Sequence, residues 1–250
     1  MGFQDHFSGH AAGYALARPT YPAALFDWIA MQCPRRGRAW DAGCGNGQAS
    51  VALAAQFESV FATDPSAEQV AAATRHPRVT YAVEPAEQCS LPDRSVDLVT
   101  VAQALHWFDP ARFHAEVARV LRPDGLVAAW TYERCLVTPA VDAVFGRLYG
   151  PELGAWWPPE RRHVEARYTT LPFPYAELAT PVFDLRCDWT LAQYLAYLRT
   201  WSACQRRLKA EGVDAVAGLA DAFAQAWGPA ETVRAVHWPL ALRIGRLRAA

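Results

Sequence analysis

Five short apolar runs between residues 39 and 130 alternate with helical stretches, and that alternation predicts an α/β fold with a mostly parallel sheet wound on both faces. Two local signals mark its working edge. A glycine-rich bend follows the first run, and an acidic residue ends the second. Past residue 130, two more strands with helices inserted before the last complete a predicted seven-stranded sheet whose last strand is antiparallel.

The chain's bulk properties fit this picture. Its 250 residues suit one α/β domain with an elaboration, and 52% hydrophobic content is ample for a core. A formal net charge of -1 gives no electrostatic case for nucleic acid or a membrane surface. Almost every basic residue is Arg, with Lys209 the single Lys, which reads as composition bias rather than phosphate recognition. The cysteines (Cys33, Cys44, Cys89, Cys135, Cys187, Cys204) form no Cys-x-x-Cys pair and read as buried thiols. The start Met1 to His6 lacks a basic and an apolar region, and no apolar run reaches about eighteen residues. The expectation is a cytoplasmic protein without a membrane span, monomeric or homodimeric.

Taken in order, Phe3 to Tyr21 is an aromatic arm interrupted by Pro19 and Pro22. It either packs on the surface or caps the site, with Tyr14, Arg18 and Tyr21 facing a ligand. Ala23 to Gln32 reads as an amphipathic helix, and Arg35, Arg36 and Arg38 as a solvated loop. Ala39-Trp40 then leads into Asp41-Ala42-Gly43-Cys44-Gly45-Asn46-Gly47-Gln48 and a helix from Ser50 to Phe57. Glycines suit a strand-to-helix turn that must take positive φ and let a ligand approach bare N–H groups. A dinucleotide fingerprint would want a small residue where Gln48 stands, and no carboxylate at Asp41. A ligand carrying an amine and a sulfonium would welcome that acid, so the loop favours S-adenosylmethionine (SAM) over NAD.

Val60 to Thr63 is the second strand, ending at Asp64-Pro65, where a nucleotide site places a carboxylate on the ribose; capping of the next helix is the plainer reading. Val79 to Val83 is the third, followed by Ala86-Glu87, a weak candidate for an adenine edge. Ser95 to Ala102 is the fourth and runs into Gln103-Ala104-Leu105-His106-Trp107-Phe108. A helix from Pro110 to Leu121 and a fifth strand, Leu126 to Trp130, complete this half. Pro151 to Tyr175 is loop-rich, Thr180 to Trp189 alternates like a strand, and helical spacing returns from Leu191 to Leu208 and from Val213 to Trp227. Val233 to Ile244 is the last strand, predicted as an edge or a bulge because of Pro239.

Together, Asp41 to Gly47, Asp64, Ala86-Glu87, Asp97 to Phe108 and Val120 to Gly125 resemble the ordered motifs of class I SAM-dependent methyltransferases. The opening Tyr14 to Pro22 and Gln103-Ala-Leu-His-Trp107 are similar to a small-molecule subgroup related to trans-aconitate methyltransferases. The resemblance implies a Rossmann-like fold with a capping arm (1–35), a SAM-binding core (36–135) and a substrate lid with the last strands (136–250), one domain overall. It implies that Gly43, Cys44, Gly45, Asn46 and Gly47 line the methionine and ribose, with Asp41 near the methionyl amine. Asp64 with Pro65 would meet the ribose diol, Ala86 and Glu87 the adenine, and Gln103 and Ala104 the methyl-transfer mouth. Tyr21, His106, Trp107, Trp130 and Tyr132 would face the acceptor.

The implied reaction moves a methyl from SAM to an oxygen or nitrogen of a small molecule and releases S-adenosylhomocysteine. A carboxylate acceptor needs no base, whereas an amine or hydroxyl benefits from one, and His106 is the candidate; a structural histidine beside Trp107 is the plainer reading. An NAD-linked oxidoreductase and a non-catalytic SAM-binding protein are the rival readings. His6 and His10 have ligand-like spacing but no third partner, so no metal is expected.

Overall fold

The computed structural model describes residues 19–132 and 134–247, so Tyr14, Arg18, His6 and His10 lie outside the described residues. Helix α1 (Ala23–Gln32) precedes β1 (Arg38–Ala42), α2 (Gln48–Leu53), β2 (Ser59–Asp64), α3 (Ala67–Ala71), β3 (Val79–Val83) and β4 (Val96–Ala102). Then come α4 (Pro110–Val120), β5 (Leu121–Tyr132), α5 (Pro139–Arg147), α6 (Arg161–Glu165), β6 (Tyr175–Glu177) and β7 (Phe183–Trp189). The chain ends through α7 (Leu191–Arg199), α8 (Ser202–Glu211), α9 (Ala220–Trp227) and β8 (Arg234–Leu247).

Strands follow the order β3-β2-β1-β4-β5-β8-β6, with β7 also on β8. Pairs among β1 to β5 are parallel, and β8 runs antiparallel to β5. Central β4 is buried from Val96 to Val101, as a parallel strand covered on both faces must be. One apolar core holds α1, α2, α5 and α7 to α9 against one face of the sheet. The other packs Phe113, Val117 and Val120 of α4, with Val164 and Tyr168, against the opposite face. Pro110 begins α4 and the Asp109 carboxylate accepts from Arg112 N–H, so the helix starts where its sequence says it should. Complete burial of a side chain such as Phe113 contributes roughly 1.5–3 kcal/mol.

Three expectations need correction. Among the described residues there are eight strands rather than seven, because the outermost position is shared by β7 on Arg234–Leu240 and β6 on Gly245–Leu247. The last strand is interior, not an edge: Pro239 pairs with Asp184 just past the final β5 pair, Tyr132↔Leu240, where its missing N–H denies β5 nothing. The arginines before β1 are not simply solvated. Buried Asp97 accepts from Gly37 and Arg38 N–H and from the Arg35 and Arg122 guanidinium groups. Burial alone would raise its pKa, but these donors outweigh it and hold the carboxyl below its ordinary range. That cluster pins the amino ends of β1, β4 and β5, leaving the carboxyl ends to carry the site. No described helix is long and apolar enough to cross a membrane.

Candidate active site and family

At the carboxyl end of β1, Gly43, Gly45 and Gly47 take φ of +69°, +52° and +82°. Gly43 and Cys44 N–H both donate to Thr63 O at 2.8 and 2.9 Å, fastening the loop to β2. Gly45 N–H and Ser66 N–H each donate to the Asp64 carboxylate at 2.9 Å. A Cβ on Gly43 would lie 2.7 Å from Ala104 Cβ, and one on Gly47 would lie 2.1 Å from Tyr81 Oη. Gly45 differs: among the described residues a Cβ there would meet only Gln69 Oε1, at an ordinary contact distance of 3.8 Å, so the main chain is bare there. Asn46 O accepts from Thr74 N–H, which ties the loop to the segment after α3.

Asp41 sits beneath this loop, fully buried, accepting from Ser50 Oγ at 2.6 Å and Thr100 Oγ1 at 2.9 Å. Burial pushes its pKa up to about 6 against the pull of those two bonds, with the Asp64 charge adding to the rise. The carboxylate therefore braces the loop from below rather than presenting itself to a ligand amine. Cys44 is buried too, and burial followed by the charges of Asp41 and Asp64 drives its thiol well up, so it is not a nucleophile. Ala86 is enclosed, while Glu87 Oε1 accepts from Asp109 N–H at 2.8 Å, bracing the entrance to α4.

The turn after β4 lies directly against the loop, since Ala104 and Phe108 are the groups that crowd Gly43. Gln103 takes a left-handed φ of +57°, a strained setting for a non-glycine residue. Its Nε2 donates to Tyr132 O at 2.9 Å and its Oε1 accepts from the Thr131 hydroxyl. His106 follows on a short helical turn, its ring tilted against Trp107 at a centroid distance of 4.6 Å, with Nδ1 3.0 Å from Tyr168 Oη. Burial, then the positive charges of Arg161 and His163, lower its pKa to about 3, so the ring is neutral at physiological pH.

Sequence reasoning missed what surrounds His106. Tyr168 is fully buried and, with Arg167, forms two consecutive left-handed non-glycine residues at φ +61° and +53°. Arg243 holds it there, donating to Tyr168 O at 2.9 Å and Leu171 O at 3.0 Å. Arg161 lies over the Trp157 ring at 4.8 Å and donates to Tyr149 Oη at 2.9 Å. The run Arg161-Arg162-His163 was the one sequence signal available. Trp130, expected at the acceptor, is instead enclosed in the core, edge-on to Tyr21 at 5.6 Å and Phe26 at 6.0 Å. Tyr132 is nearly as buried beside them. Alternation could not say which face of β5 meets the cleft. Among the described residues no group of three metal-ligating side chains forms.

Comparison with known proteins agrees with this geometry. A methyltransferase-domain family profile matches residues 40–129, from β1 to β5. A protein of Dictyostelium discoideum named as a methyltransferase is 32% identical over 229 residues, spanning 90% of this chain and 87% of its own length. The chain belongs to the SAM-dependent methyltransferase family. A structure from Anaeromyxobacter dehalogenans, solved under the description of a type II methyltransferase, shares 50% identity at a TM-score of 0.87. It covers 93% of this methyltransferase and 99% of its own chain. A protein of Saccharomyces cerevisiae named as a SAM-dependent methyltransferase is 31% identical over 131 residues, 49% of this chain and 45% of its own. The NAD-linked alternative falls with these matches.

The residues suit the cofactor that the family uses. The Gly45 main chain faces space that a Cβ would begin to fill, and Asp64 stands at the end of β2 beside it. This is the strand-end crevice where doubly wound sheets bind nucleosides.

Proposed function

We propose that this methyltransferase moves a methyl group from SAM to an oxygen or nitrogen of a small-molecule acceptor, within the group that resembles the trans-aconitate methyltransferases. One observation carries the reading: the glycine loop and the turn bearing His106 pack against each other through Gly43, Ala104 and Phe108, so two unlike surfaces lie side by side at the carboxyl ends of β1 and β4. Gly43 to Gly47 offer bare main chain, Asp64 with Pro65 the ribose contact, and Ala86-Glu87 the adenine side, with Gln103 and Ala104 between. Tyr14 and Arg18 belong to the proposed cap, and Tyr21, Trp107 and Tyr132 to the acceptor side.

When bound, SAM supplies an already activated methyl group on a sulfonium. The chain's own work is then alignment and exclusion of water. His106 is neutral and can accept a hydrogen bond from a hydroxyl or amine acceptor. Its low basicity makes it a weak base, so orientation outweighs proton removal.

Two experiments test this. S-adenosylhomocysteine should raise the melting temperature where NAD does not, and no shift with the former ends the reading. Asp64→Ala should weaken that binding by about 1–3 kcal/mol in calorimetry, the scale of hydrogen bonds to a charged group. Screening metabolites for a gain of one methylene in mass, SAM present, identifies the acceptor; binding without any such gain would mark a non-catalytic SAM-binding protein.

A further inference from the structure

We infer that Tyr81 of β3 is a positioning residue for the cofactor loop: its hydroxyl stands where a side chain at Gly47 would begin, and it ties down Thr74, which holds Asn46. The inference rests on the proposed seat of SAM along Gly43 to Gly47. No motif marks Tyr81, which belongs to a strand outside the glycine bend and the turn after β4.

The unit formed by β2, α3 and β3 grips the loop residue by residue. Thr63 O accepts from Gly43 and Cys44 N–H, and the Asp64 carboxylate accepts from Gly45 N–H. These bonds reach only the first part of the bend. Asn46 is held through its carbonyl, which accepts from Thr74 N–H at 3.1 Å. Thr74 lies just past α3 and is exposed, so by itself it is a poor post to fasten a loop to. Tyr81 makes it firm, because its hydroxyl donates to Thr74 O at 2.8 Å. One residue thus donates to the loop through its N–H and accepts from β3 through its carbonyl.

The same hydroxyl bounds Gly47. A Cβ there would stand 2.1 Å from Tyr81 Oη and 2.9 Å from Cζ, closer than side-chain contacts allow. Glycine is therefore required on two counts: φ is +82°, and the tyrosine has taken the side chain's place. Tyr81 is itself anchored. Its main chain pairs with Ala62, on the strand that carries Thr63 and Asp64. Arg75 lies over its ring at 5.7 Å. Burial above all pushes its pKa up to about 12, so the phenol keeps the proton that it gives to Thr74 O. A ligand that binds along bare main chain binds more tightly when the loop already has its bound shape, since ordering it on binding costs affinity.

Calorimetric titration with S-adenosylhomocysteine tests this. Tyr81→Phe keeps the ring and removes the bond to Thr74 O, and should weaken binding roughly three- to tenfold, the scale of one hydrogen bond. Amide exchange separates positioning from general stability. In ligand-free Tyr81→Phe the Thr74 N–H should exchange faster than in wild type, while the amides of β4 stay as protected as before. A third comparison probes the shared space: Gly47→Ala should cost more affinity in wild type than in Tyr81→Ala, which leaves room for the new methyl. Wild-type affinity in Tyr81→Phe, faster exchange across the whole sheet, or an equal cost of Gly47→Ala in both backgrounds would overturn the inference. If Tyr81→Ala does not fold, Tyr81→Phe decides alone. A wild type that ignores S-adenosylhomocysteine sinks the cofactor reading and with it the role given to Tyr81. Binding by the wild type that Tyr81→Phe leaves unaltered sinks only the latter.

Discussion

The loop after β1 and the turn after β4 touch one another, yet they are made differently. The first is main chain stripped of side chains, with three left-handed glycines fastened by N–H groups to Thr63 and Asp64. Its one buried charge, Asp41, lies underneath. The second is all side chain, drawn from three separate segments: Thr131 is hydrogen-bonded to Gln103, and Tyr168 to His106. A bare loop suits a ligand shared by a whole family, because backbone groups do not depend on which residue stands there. A side-chain network suits whatever varies between relatives.

Four substitutions would break or sharpen this contrast. Gly43→Val should be the most damaging, by roughly 2–5 kcal/mol in urea melts, adding the left-handed penalty to overpacking against Ala104. Gly45→Ala, whose Cβ would meet Gln69 Oε1 at an ordinary 3.8 Å, should cost only the backbone part and serves as its control. Similar losses at both sites would mean that the loop does not rest on the β4 turn.

Asp41→Asn should do the reverse and stabilise the protein. A carboxyl raised from 3.8 to about 6 binds more protons folded than unfolded between those values, so its contribution falls as pH rises through them. At pH 7.5 the substitution should gain about 3 kcal/mol, and below about pH 4 the gain should vanish. Equal melting temperatures at pH 7.5 would show that Ser50 and Thr100 fully compensate the buried charge.

His106→Gln probes the other half, with the opposite sign. A histidine lowered from 6.5 to about 3 is protonated more readily unfolded, so stability is present above pH 6.5 and is lost as pH falls. The variant should lose about 2–3 kcal/mol less than wild type between pH 6.5 and pH 4.5. An unchanged acid limb would place His106 in contact with water. Between about pH 6 and pH 4 the two groups oppose each other, which flattens the wild-type profile until one is removed.

Legibility followed the same divide. The loop could be read because its glycines are a local necessity, written consecutively, and Asp64 sits a fixed distance on. His106 could be read because it follows β4 directly. Tyr168 could not, since it reaches His106 across 62 residues with no pattern announcing it. Trp130 was misplaced because a strand buried on both faces has no polar side to orient it. The outer strands were blurred by the prolines between Leu171 and Pro181: the expected strand Thr180 to Trp189 is β7, and the short β6 before it went unread in that proline-rich stretch.

That broken outer strand bears on how copies of the molecule behave when crowded. Sheets grow into fibrils when a neighbour finds a long, flat row of unclaimed amides to copy. Here β6 offers three residues and β7 seven, each set against a different stretch of β8, with Val182 beside the break. A stray strand that began to zip along one would lose its template at the corner, so at this border the protein is guarded against self-stacking by an interruption rather than by charge.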